Sequence, residues 1–189
     1  MPTKKRSTNP NAFTMLKADH VKVKELFDKF EESTTSAERQ ELVADTLQEL
    51  KIHASVEEQV FYPALRREME DEEGLMDEAD EEHHVAKFLI AELEQMQGDE
   101  EHWEAKFKVL AENVRHHIKE EEGEIFPQAR KTNIDFVVLG EQMAQLKETL
   151  AEQGVPDGAE AEMVSKTGLR GDSPAKKAQE NLEVPLKVA

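Results

Sequence analysis

One pattern is written twice in this chain, as "HASVEEQVFYP" from His53 and "HIKEEEGEIFP" from His117. In each, a His is followed by Glu at +4 and +5 and by Pro at +10. A second pair of segments travels with it. "DHVKVKELF" from Asp19 and "EHHVAKFLI" from Glu82 each place an acid before a His, then a small apolar residue at +3 and Lys at +4 from that His. This register pairs His20 with His83 and His53 with His117. His20 and His53 are 33 residues apart, His83 and His117 34. A repeat of this length builds two similar hairpins, and two hairpins about a pseudo-twofold set four equivalent histidines around one axis.

The hairpins are helical. Phe13, Leu16, Val23, Phe27 and Phe30 recur at alternating steps of three and four, with His20 in the one gap. Strand signals are absent, because β-branched and aromatic residues are sparse and period-2 alternation is not sustained. The first helix is predicted to open at Asn9 as cap with Pro10 inside it. The second opens at the capping box Thr35-Ser36-Ala37-Glu38 and runs to about residue 70, kinked at Pro63. A third covers 75–97 and ends at Gly98. A fourth, capped by Asp99, reaches about residue 130. A fifth amphipathic stretch covers 134–153. The expected fold class is all-α: an antiparallel up-down four-helix bundle over 10–131 with an appended fifth helix. Residues 1–9 read as a flexible tail. Residues 154–189, rich in Gly, Pro, Ala and charge, read as mostly disordered or loosely docked.

Composition narrows the function. A net charge of −18 repels nucleic-acid phosphates and attracts cations. There is no cysteine, so any metal is held by nitrogen and oxygen. No apolar run is long enough for a membrane span, and the basic start lacks the apolar stretch of a secretory signal. The compartment expected by default is the cytoplasm.

Each predicted helix carries one His on its apolar stripe: His20, His53, His83 and His117. His84, His116 and His102 fall on polar faces or turns. Residues i and i+4 of a helix share a face, so Glu57 joins His53 and Glu121 joins His117. Singly, a core His is ordinarily a hydrogen-bonded packing residue, and His-x-x-x-Glu on a charged helix is background. Four such histidines on four helices, with both pairs in register, converge six polar groups in a dry core. Unpartnered buried carboxylates are costly there, and no Lys or Arg lies on these stripes. A divalent pair answers this, with two bridging carboxylates and four capping imidazoles. The donors suit iron, manganese or zinc, and six ligands suit two metals with an open position. Glu58 and Glu122 flank the stripe, either as further ligands, as acceptors that orient a His, or as a solvated edge. Tyr62 follows the ligand-bearing turn. It reads as packing, with a donor, ligand or redox role beside the metals as the alternative.

These motifs, "DH", "HASVEEQVFYP", "EHH" and "HHIKEEEGEIFP", resemble those of hemerythrin-like HHE cation-binding domains over about residues 12–131. The resemblance implies a four-helix bundle with a non-haem di-iron centre, oxo- or hydroxo-bridged when oxidised, at His20, His53, Glu57, His83, His117 and Glu121. Manganese or zinc are the substitutes. Oxygen-carrying members place a second His four residues after the first on the third helix, where this chain has Lys87. A more symmetric four-His, two-carboxylate centre is therefore expected, rather than a reversible carrier. The function expected is reaction with, or sensing of, oxygen, hydrogen peroxide or nitric oxide, in oxidative or nitrosative stress or iron homeostasis. Peroxide- or nitric-oxide-consuming turnover, sensing without turnover and iron storage are the alternatives. The expected partner is a small-molecule oxidant, with no nucleic acid and no membrane.

Overall fold

The computed structural model describes residues 11–69 and 73–167. Its first helix, α1 (Ala12–Glu32), is capped by Asn11, whose Oδ1 accepts the Thr14 N–H at 3.2 Å. Asn9 and Pro10, the cap expected from sequence, lie outside the described residues. Thr35 caps α2 (Ser36–Val56), its hydroxyl accepting the Glu38 N–H at 3.3 Å.

The second predicted helix does not run as one α-helix to Pro63. Instead α2 passes into a π-helical turn, Glu57–Phe61, and then into α3 (Tyr62–Arg66). The Tyr62 N–H donates to the Glu57 carbonyl, five residues back. A proline lacks an N–H and its ring crowds the carbonyl four residues earlier. One extra residue in the turn relieves that crowding. The second copy repeats the device. After α4 (Glu73–Glu94), α5 (Trp103–Glu120) passes into the π turn Glu121–Ile125 ahead of Pro127, and then into α6 (Phe126–Ala129). Both π turns open on a glutamate of the repeated motif, and such insertions recur at functional sites.

The α4–α5 connection also differs from expectation. Asp99 is not the cap of α5, which begins four residues later. The Glu100 carboxylate instead accepts the Gln97 N–H at 2.8 Å and the Gly98 N–H at 3.0 Å, and His102 enters α5 with φ 72°. Gly98 has φ +86°, and a Cβ there would lie 2.7 Å from the Gln40 side chain.

α1 pairs with α2, and α4 with α5. Two apolar clusters fill the bundle. One gathers Val23, Phe27, Phe30, Leu47, Ile90, Phe107 and Leu110. The other gathers Phe13, Leu16, Ile52, Val56, Phe61, Leu65 and Phe126. The stripe histidines fall at the waist between them.

Two further helices lie outside the four. α7 (Phe136–Gln153), capped by Asp135, packs on α1 and α2 and adds Leu139, Met143 and Leu150 to the second cluster. Although appended in sequence, it is part of the core. Met143→Ala is accordingly expected to destabilise the protein by about 2–5 kcal/mol in urea titration, as large-to-small core changes do; a change within 0.5 kcal/mol would mean that α7 is dispensable. The segment read as a mostly disordered tail contains α8 (Ala159–Thr167), docked on α4 with Val164 fully buried. The rest of that tail, 168–189, lies outside the described residues. No helix among the described residues is long and apolar enough to cross a membrane.

Candidate metal centre

The six residues that the repeat singles out meet at the waist. His20 comes from α1, His53 from α2, His83 from α4 and His117 from α5, while Glu57 and Glu121 open the two π turns. All six are buried, and both carboxylates are completely so. His20 Nε2 lies 3.1 Å from Glu121 Oε2, and His53 Nε2 lies 3.2 Å from Glu57 Oε2. His83 Nε2 lies 3.3 Å from the same Glu57 oxygen and 3.3 Å from His117 Nε2. Five of the six donors divide into two groups, His20 with His53 and Glu57, and Glu57 with His83 and His117, while Glu121 belongs to neither and stands beside His20. Glu57 is common to both.

The other ring nitrogens face outward, each toward a carboxylate. His20 Nδ1 lies 2.9 Å from Glu122 and His83 Nδ1 3.0 Å from Glu58. His117 Nδ1 lies 2.7 Å from Glu82, and His53 Nδ1 3.6 Å from Asp19. This orientation puts the Nδ1–H outward and the Nε2 lone pair inward, the arrangement of a metal-binding imidazole. Two of these carboxylates are Glu58 and Glu122, whose role the sequence left open. They sit on the far side of the rings and orient them. Glu82 does the same for His117, while Asp19 stands beside His53 Nδ1 without a hydrogen bond; the sequence reading assigned neither residue a role. The signal was present, since each is the acid that precedes a repeated His.

Lys87 stands off the centre, with Nζ 3.0 Å from Glu58 Oε1. Its repeat partner Lys24 lies 3.8 Å from Glu122. His84 and His116 are exposed and His102 lies outside the bundle core, as their polar faces indicated.

The metal-free electrostatics are unfavourable. Both oxygens of Glu57 and of Glu121, together with His20 Nε2 and both nitrogens of His53, are buried without a hydrogen-bond partner. Burial, and then the charge of Glu121, pushes the Glu57 carboxyl well above the usual range. Burial acts on Glu121 too, but His20 outweighs it and holds this carboxyl down. Burial lowers His53 to about 4, so it is neutral and free to donate its lone pair near pH 7. Tyr62 completes one side, with its hydroxyl 3.4 Å from His117 Nε2. Burial, and then Glu57 and Glu121, pushes its phenol well up, so it remains a neutral O–H. Its repeat partner is Phe126, whose ring stacks on His20 at 6.1 Å.

Above the imidazoles lies a small apolar cavity of about 30 Å³, walled by Val23, Leu50, Ile90, Val114 and Ile118. Asn113 also lines it, and its side-chain oxygen is buried without a partner. The sequence reading assigned Asn113 no role. Its position four residues before His117, on the same helical face, was the available clue.

Buried histidines and carboxylates with inward lone pairs and no compensating cation define a metal-binding helical bundle. Residues 11–129 match the hemerythrin HHE cation binding domain family, and the chain belongs to that family. A solved structure of an HHE cation-binding domain-containing protein from Mycobacterium kansasii superposes with a TM-score of 0.64 at 28% identity, over 80% of this chain and 97% of that one. A DNA nickase of Nostoc sp. (strain PCC 7120 / SAG 25.82 / UTEX 2576) is 28% identical over 120 residues. The match takes in 64% of this chain and spans about a third of the nickase, 34% of its length.

Proposed function

We propose that this protein holds a non-haem di-iron centre that reacts with a small oxidant: oxygen, hydrogen peroxide or nitric oxide. The observation that carries the reading is the division of five buried donors, the four histidines and Glu57, into two groups that share Glu57, with buried Glu121 beside His20, beneath a small, largely apolar cavity. His20 and His53 would hold one ion and His83 and His117 the other, with Glu57 and Glu121 between them. When bound, an iron pair supplies two electrons to a small oxidant. The chain's own residues shape that encounter. Nδ1 hydrogen bonds fix the rings of His20, His83 and His117, the apolar walls limit water, and about 30 Å³ suits a molecule of two or three atoms. Tyr62 offers a proton donor at one half of the site only.

The test is anaerobic ferrous reconstitution of the full chain, desalting and element analysis, followed by mixing with each oxidant. Two irons per chain and a spectral change on mixing support the reading. No bound iron would sink it. Tyr62→Phe is expected to keep two irons, because Phe126 already fills the equivalent place, while slowing the reaction with peroxide several-fold in stopped-flow absorbance. An unchanged rate would reduce Tyr62 to packing.

One observation favours sensing as a second reading. Lys147 of α7 pairs with Asp19, and Glu160 of α8 lies 3.6 Å from Lys87 and 2.9 Å from His84. Both outer helices thus reach groups that support the histidines. Metal- or oxidant-dependent protection of residues beyond Gly154 from protease would support this reading, and identical digestion patterns would oppose it. The nickase activity is not carried over, because the shared segment is a third of that protein and this chain's charge repels DNA.

A further inference from the structure

The two halves of the repeat differ where they face outward. In the first hairpin, Met15, Ile52, Val56 and Val60 pack with the cluster to which α7 contributes, and Lys147 seals the edge against Asp19. The equivalent positions of the second hairpin are Glu78, His116, Glu120 and Glu124. They remain uncovered by α7, which packs on α1 and α2. Between α4 and α5 lies a pocket of about 110 Å³ that includes Glu78, Glu82, Glu120 and Glu124 in its walls. It also reaches His117 and Glu121. Glu121 is fully buried, and neither of its oxygens has a hydrogen-bond partner.

At the rim, His116 Nε2 lies 3.1 Å from Glu120 Oε1 and 3.7 Å from Glu82 Oε1. The donor atoms of these three residues lie within 4.8 Å of one another. The second oxygen of Glu82 faces His117 Nδ1 at 2.7 Å. One carboxylate therefore touches both the exposed cluster and a histidine of the buried centre.

We propose that the α4–α5 face is the cation entry port of the centre, with Glu82, His116 and Glu120 forming an outer site where a divalent metal loads before it passes to Glu121. The proposal rests on the di-metal reading above. A hard divalent ion sheds water stepwise onto oxygen and imidazole donors, and a carboxylate-lined pocket concentrates cations by its field. Duplication alone would have given two equivalent faces. α7 closes one with apolar packing and a lysine, which leaves the acidic face as the way in.

The test is the rate of cobalt(II) uptake by the apo protein, followed by the cobalt absorption bands in stopped flow, with bound metal counted at the endpoint. The variants are H116A/E120Q and, as a control for charge, E148Q/E152Q on the exposed side of α7. The expected result is uptake slowed at least about tenfold in H116A/E120Q, in the range that electrostatic steering spans, with the parental endpoint reached and the control unaffected. Parental rates in H116A/E120Q, or equal slowing in the control, would overturn the port. Absence of bound cobalt in the parent would overturn the di-metal reading itself. If H116A/E120Q fails to fold, E124Q is measured in its place, and a parental rate there overturns the port.

Discussion

Glu57→Leu is expected to abolish paired metal loading and, in the same molecule, to stabilise the metal-free protein. Both effects follow from one fact: Glu57 is fully buried and shared by the two donor groups, yet has no hydrogen-bond partner. Leucine has a similar volume and can pack against the apolar clusters on either side. Replacing buried ionic groups by packed apolar ones often stabilises by about 1–4 kcal/mol. Removal of the carboxylate leaves neutral His53 and the outward Nδ1 contacts intact, so no new buried charge is stranded. Urea unfolding in chelator should therefore show a higher midpoint than the parent. Iron per chain after reconstitution should fall from two to one or none. Two irons retained would mean that Glu57 is not the shared ligand. A lower chelated midpoint would mean that its packing outweighs its desolvation.

Metal removal is the second large effect. A cation that binds only the folded state stabilises it by about 4 kcal/mol at a thousandfold excess over Kd. For a chain of this size that corresponds to a thermal midpoint about 8–16 °C higher. That figure already includes the relief of the unpartnered oxygens of Glu57 and Glu121, which enters through Kd. Differential scanning fluorimetry of the loaded protein, with and without chelator, measures it directly. Coincident curves would indicate a histidine-lined bundle whose metal is not part of its stability.

Both effects depend on how the repeat is built. The helices were legible because their apolar periodicity is local and strong, and the six donors were legible because they occupy that periodicity in two matching copies. The π turns were not. The prolines signalled a distortion, but not that it would take the form of a widened turn opening six residues earlier, at Glu57 and Glu121. The α5 start was misjudged because Glu100, not Asp99, reaches the free N–H groups of the loop. α8 was missed because its nine residues form too short a pattern, and only burial of Val164 against α4 fixes it.

From its sequence alone, this protein was bound to be a duplicated helical bundle with four histidines and two carboxylates in its core. Residue type and helical spacing suffice for that conclusion, since any register that buries the apolar stripes brings those side chains with them. The tertiary structure decided what distinguishes the two halves. Glu58, Glu122 and Glu82 came to face the Nδ1 atoms of His83, His20 and His117 because they approach from neighbouring helices. α7 covered one hairpin and left the acidic face of the other open. These contacts join residues far apart in the chain, and helical periodicity carries no information about which face a later helix will cover.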